Sequence, residues 1–141
     1  MQPLNAPQQH YLEHDRMNWA ARKTAHVGDL MVMYRCAPEK CIREIFVLGT
    51  KLQRRRTNPI WRDGFALGGE FKIVCRLGAP VFLEDLRDHR MLRTAGFIRG
   101  ALRGNQDVTA WWPHLYELIV TRNPRSRKPL QRYSPLRLDI R

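Results

Sequence analysis

The stretch Met17-Asn18-Trp19, followed by Gly28-Asp29-Leu30-Met31-Val32-Met33-Tyr34-Arg35, decides how the rest of this chain is read. A Gly-Asp pair makes a tight turn, because Gly reaches positive φ without steric cost and Asp can bond nearby backbone. The apolar run behind it reads as a buried strand. Such a strand carries Tyr34 and Arg35 to its far end, one short connection from Asn18 and Trp19. An aromatic, an amide and a cation are therefore expected to converge on one pocket.

Working outward, the 141 residues fit one domain, large enough for a core without disulfides or metal. No apolar run of about eighteen residues is present, and the polar, proline-bearing start lacks a charged segment ahead of an apolar one. The expectation is a non-secreted, intracellular protein, cytoplasmic or organellar, with no membrane partner. Its three cysteines, Cys36, Cys41 and Cys75, suit reduced thiols better than a disulfide framework.

Charge is the loudest compositional feature. Twenty-five basic against 13 acidic residues leave a formal charge of +12, and self-repulsion on that scale points to a polyanionic partner, most commonly a nucleic-acid backbone.

Taken in order, residues 1–9 form a polar lead, residues 10–123 a folded domain and residues 124–141 a basic, proline-bearing tail. His10 and His14 have helical spacing but no third ligand, and the Cys36 to Cys41 spacing suits zinc no better, so neither a metal nor another cofactor is assigned. Cys41 to Gln53 reads as a long strand apolar on both faces. Arg54, Arg55 and Arg56 end it, either as a phosphate clamp or as a solvated loop. Trp61 is an anchor or a stacking platform. Glu70 to Leu77 alternates with period two and reads as a strand ended by Gly78 and Pro80.

Val81 to Leu92 reads as a short helix with a frayed or 3-10 start, since Phe82 stands where Ser or Thr would cap it. The glycines of Thr94 to Asp107 argue for a strand or turn carrying Arg99 and Arg103. Ala110 to Arg122 reads as a helix with Pro113 in its first turn. Trp112 is read as packing, and Trp111 stays open. Beyond Asn123 the composition cannot bury enough to order itself. Arg125, Arg127 and Lys128 are then free either to wrap a phosphate backbone or to remain solvated.

The Asn-Trp pair, basic spacer, Gly-Asp-Leu, Tyr-Arg and Pro38 before Ile42-Arg43 resemble the EVE domain, a PUA-like module related to YTH readers of methylated RNA. Tyr11-Leu12, the Pro80 to Leu86 helix start and the helix from Trp112 to Asn123 extend the likeness over residues 5–123. The family places a strand ahead of Tyr11, where this chain has only a handful of residues. The resemblance implies an α+β fold, a curved, mostly closed β-barrel of about five or six strands flanked by short helices. It also implies a base pocket of Asn18, Trp19, Tyr34 and Arg35 that recognises a modified or flipped base, with Trp19 partly exposed as its floor. Arg54, Arg55, Arg56, Arg99, Arg103, Arg125, Arg127 and Lys128 would hold phosphates of DNA or RNA.

Catalytic sets are not found. There is no Gly-x-Ser-x-Gly elbow, and the Lys and Glu pattern of PUA-like ASCH amidohydrolases is missing. The expectation is a non-enzymatic nucleic-acid-binding module. The alternatives are a structural RNA-binding subunit of a larger ribonucleoprotein assembly and, third, an ASCH-type amidohydrolase.

Overall fold

Gly28 takes a φ of 96°, as the Gly-Asp reading requires. The Asp29 carboxylate accepts the His26 N–H at 2.8 Å. Two backbone bonds then stitch the turn to the chain at Leu48. Gly28 N–H donates to the Leu48 carbonyl at 2.8 Å and Leu48 N–H to the Asp29 carbonyl at 2.9 Å. In this computed structural model, which describes residues 2–4, 15–21, 24–56, 65–100 and 106–135, the turn launches one of the inner strands of the sheet.

The strands are β1 (Gln2–Leu4), β2 (Arg16–Ala20), β3 (Leu30–Arg35), β4 (Cys41–Leu48), β5 (Gln53–Arg56) and β6 (Phe65–Phe82). Three of them, β3, β4 and β6, make the antiparallel centre. Strand β1 joins β3 in parallel. Strands β2 and β5 flank the first half of β6 on its two edges, Gly68 pairing with both Ala20 and Gln53. The path β1-β3-β4-β6-β2 is open. This corrects the expected mostly closed barrel: closure requires the first and last strands to hydrogen-bond with a fixed stagger, and among the described residues β1 and β2 do not pair.

One core lies on one face of the sheet, where Trp19 of β2 clusters with Met31 and Met33 of β3, Phe46 and Leu48 of β4 and Phe71 of β6. The opposite face carries Val32, Tyr34, Ile42, Ile45 and Val81 against the helices. Successive strand residues point to opposite faces, so β3 and β4 serve two cores at once, and the near-continuous apolar runs follow from that. Gly69 is the point of closest approach. A Cβ there would lie 2.7 Å from Leu48 Cδ1.

Strand β6 runs through Gly78 and Pro80, where the sequence predicts an end. The ladder with β4 skips from Glu44↔Arg76 to Ile42↔Val81, so residues 77–80 lie opposite Arg43 alone and Pro80 sits in an irregularity rather than in the ladder. On the other edge Asn123 grips Ala79. Its Oδ1 accepts the Ala79 N–H at 2.7 Å and its Nδ2 donates to the Ala79 carbonyl at 2.8 Å.

Helix α1 (Leu83–Asp88) follows directly. It starts as a regular α-helix because Asp85 Oδ2 reaches back to accept the Phe82 N–H at 2.8 Å, supplying half of the cap that a Phe side chain lacks. The strand or turn, rather than a helix, expected between Thr94 and Asp107 is a second correction over its described start, since Leu92–Thr94 is a 3-10 turn and Gly96–Arg99 a short helix, α2. Leu92, Ala95 and Ile98 recur at spacing three and are all buried, a helical pattern that outweighs the glycines beside it.

Helix α3 (Trp112–Arg122) is preceded by a 3-10 turn, Thr109–Trp111, and keeps Pro113 within its first turn. It buries Trp112, Leu115, Ile119 and Val120. Among the described residues no helix is long and apolar enough to cross a membrane.

Candidate nucleic-acid interface

The chain beyond Asn123 corrects the expectation of an unordered tail over the part that is described. Pro124–Arg127 and Gln131–Tyr133 are 3-10 turns, with Asn123, Ser126 and Leu130 buried against the body. Their spacing of three and four residues matches the periodicity of these turns. Ser126 Oγ donates to the Asn123 carbonyl at 2.7 Å. Further along, Trp112 Nε1 donates to the Tyr133 carbonyl at 2.7 Å. Three buried side chains and a tryptophan thus anchor the segment.

Five of the residues facing out are cations. Arg122, Arg125, Arg127, Lys128 and Arg132 are all exposed, and residues 121–135 contain no Asp or Glu. Arg122 Nη1 lies 3.1 Å from Asp85 Oδ1, which ties this face to α1. Among the described residues no carboxylate lies within 4.0 Å of Arg125, Arg127, Lys128 or Arg132. Arg132 holds its guanidinium carbon 5.8 Å from the centre of the Tyr133 ring, a contact that limits its rotamers. Arg99 is exposed at the end of α2.

Of the four residues expected to form a base pocket, Trp19 and Tyr34 are not brought together. Trp19 is only 4% exposed and belongs to one core, whereas Tyr34, also 4% exposed, belongs to the other. The sheet lies between them. The partly exposed Trp19 floor is therefore corrected: it is buried in the core with Met31, Phe46 and Phe71. Asn18 pairs through its backbone with Glu70 across β2 and β6.

Arg35 is engaged by carboxylates. Its Nε lies 2.9 Å from Glu44 Oε1 and its Nη2 2.7 Å from Glu44 Oε2, a bidentate pair, while Nη1 meets Glu39 at 3.1 Å. These bonds to Glu44 hold the Arg35 guanidinium above its usual pKa range. Tyr34 is likewise pushed up, chiefly by burial, with the charge of Arg87 opposing. Neither group is spare for a ligand. The missed signal was Glu44, a lone carboxylate within an apolar strand that needs a cation on the neighbouring strand.

Arg54, Arg55 and Arg56 pair through their backbones in β5, but their side chains lie outside the described residues. So do Arg103, Trp61, His10, His14 and residues 136–141. The cysteines are free thiols. Burial pushes Cys41 up and Cys75 up to about 11, so at neutral pH both stay protonated and poorly nucleophilic.

The class that this architecture defines is a small α+β domain, an open sheet cored on both faces and carrying a fixed basic segment. No family model and no curated protein matches the chain. Among solved structures it is similar to the NMR structure of Rpa0253 from Rhodopseudomonas palustris, a structural-genomics target, at a TM-score of 0.56 and 17% identity over 77% of each chain. The likeness is one of fold.

Proposed function

We propose that the protein is a non-enzymatic nucleic-acid-binding module that grips phosphates with the ordered basic face of Arg125, Arg127, Lys128 and Arg132. The observation that carries this reading is the acid-free, anchored run between residues 121 and 135. Cations held on short turns lose little conformational freedom when they meet a phosphate backbone, and among the described residues no neighbouring carboxylate competes for them. The opposed burial of Trp19 and Tyr34 favours backbone binding over the reading of a flipped base in the Asn18, Trp19, Tyr34 and Arg35 set. That is the behaviour of a structural DNA- or RNA-binding component. Three free thiols fit a reducing, intracellular setting.

The test is the salt dependence of oligonucleotide affinity. Each phosphate engaged contributes a slope of about 0.7 to 0.9 in log affinity against log salt. The triple variant Arg125→Ala, Arg127→Ala, Lys128→Ala should therefore flatten the slope by roughly 2 to 3 while leaving thermal stability near the parent's, since these side chains are exposed. An unchanged slope would place the phosphates elsewhere on the chain.

A further inference from the structure

A half-open cleft of about 700 Å³ lies where the Gly28-Asp29 turn, the start of β3, the first turn of α3 and the Gln131–Tyr133 turn meet. Its volume is that of small-molecule sites, which run from about 300 to 1,000 Å³. Of its lining residues the nucleic-acid reading uses only Arg132. Apolar groups form its floor, among them Leu30, Val32, Val47 and Trp112. One wall is locked, because the Trp112 indole is bonded to the Tyr133 carbonyl.

Among the described residues four charged side chains line this cleft, and they differ in how they are occupied. Asp29 accepts a backbone N–H within its own turn. Asp107 Oδ1 accepts both the N–H and the hydroxyl of Thr109, at 2.9 and 2.6 Å. Both carboxylates are turn caps. Lys72 and Arg132 are exposed, and neither has a carboxylate within 4.0 Å among the described residues. The Lys72 stem runs across Gly49, its Cε 3.5 Å from where a Cβ would stand, and Arg132 is set against the Tyr133 ring.

From this arrangement we infer that the cleft binds a small amphipathic anion, an apolar ring or chain seated on the floor with its carboxylate, sulfonate or phosphate held by Lys72 and Arg132. The floor supplies burial for the apolar body, and the two cations supply charge-assisted hydrogen bonds to the head. The inference does not depend on nucleic-acid binding.

Two fluorescent probes with the same aromatic body separate the contributions: the anion 1-anilinonaphthalene-8-sulfonate and neutral N-phenyl-1-naphthylamine. The sulfonate should bind at a single saturable site, about tenfold or more tighter than the neutral probe, as charge-assisted bonds would give. Lys72→Gln and Arg132→Gln should each weaken the sulfonate about three- to tenfold while leaving the neutral probe unchanged. Arg93→Gln, a cation that does not line the cleft, should change neither, which excludes attraction by net charge alone. Equal affinity for the two probes, many weak sulfonate sites, or an Arg93→Gln effect equal to that of Arg132→Gln would overturn the inference. All three side chains are exposed, so melting curves should stay at the parental position and leave binding as the readout.

Discussion

Trp112→Ala should lower the free energy of unfolding by about 3 to 5 kcal/mol, the range for emptying a large aromatic site in a packed core. Trp112 is 8% exposed, lies edge-on to Tyr116 at 5.8 Å and donates to the Tyr133 carbonyl. The substitution therefore opens a cavity under α3 and also frees the last turn of the basic segment. Denaturant unfolding measures the first effect. Hydrogen exchange at residues 130–134, rising toward the rate of an open chain, measures the second. Trp112→Phe keeps most of the ring but loses the N–H donor, and about 1 kcal/mol is expected from that bond. An alanine variant that unfolds at the parental midpoint would remove Trp112 from the core.

Arg35→Met should cost a comparable amount, about 3 to 5 kcal/mol, for a different physical reason. Glu44 is only 2% exposed, and the bidentate guanidinium is what makes its charge tolerable inside the sheet. With Arg35 gone, Glu44 must either remain charged and unpaired or take up a proton. Removing both charges together, as Arg35→Met with Glu44→Leu, should recover much of the loss, because apolar groups of similar volume often replace a buried ion pair at little cost. The double-mutant cycle by denaturant unfolding reports this directly. Additive losses would mean that the two side chains act independently.

What the sequence made legible is local. Gly28 and Asp29 sit where a tight turn needs them, β3 follows at the expected residue, and Pro113 marks the first turn of α3. Each depends on neighbours a few positions away. What escaped reading depends on partners far along the chain. Barrel closure is a question of whether β1 and β2 meet, and nothing in either strand encodes that. Pro80 reads as a terminator until the skipped register opposite Arg43 gives it a place outside the ladder. Asn123, a residue that usually marks a helix end, turns out to clamp Ala79. The tail's order rests on Leu130 and Ser126, two small contributions that a composition dominated by arginine hides. At the site, Tyr34 and Arg35 are adjacent in sequence, yet adjacent strand residues face opposite ways, so a pocket drawing on both was at odds with the pleat.

The central claim is that a fixed basic face, rather than overall charge, holds nucleic acid. The direct measurement compares two charge-matched variants, Arg125→Glu with Arg127→Glu and Arg90→Glu with Arg93→Glu, by fluorescence anisotropy with one labelled oligonucleotide at physiological salt. All four residues are exposed, and both variants change the net charge equally. The first should weaken binding by about a hundredfold or more, since two charge-assisted contacts become repulsive, and the second should remain within about threefold of the parent. Equal losses in the two variants would contradict the account and leave net charge as the whole explanation.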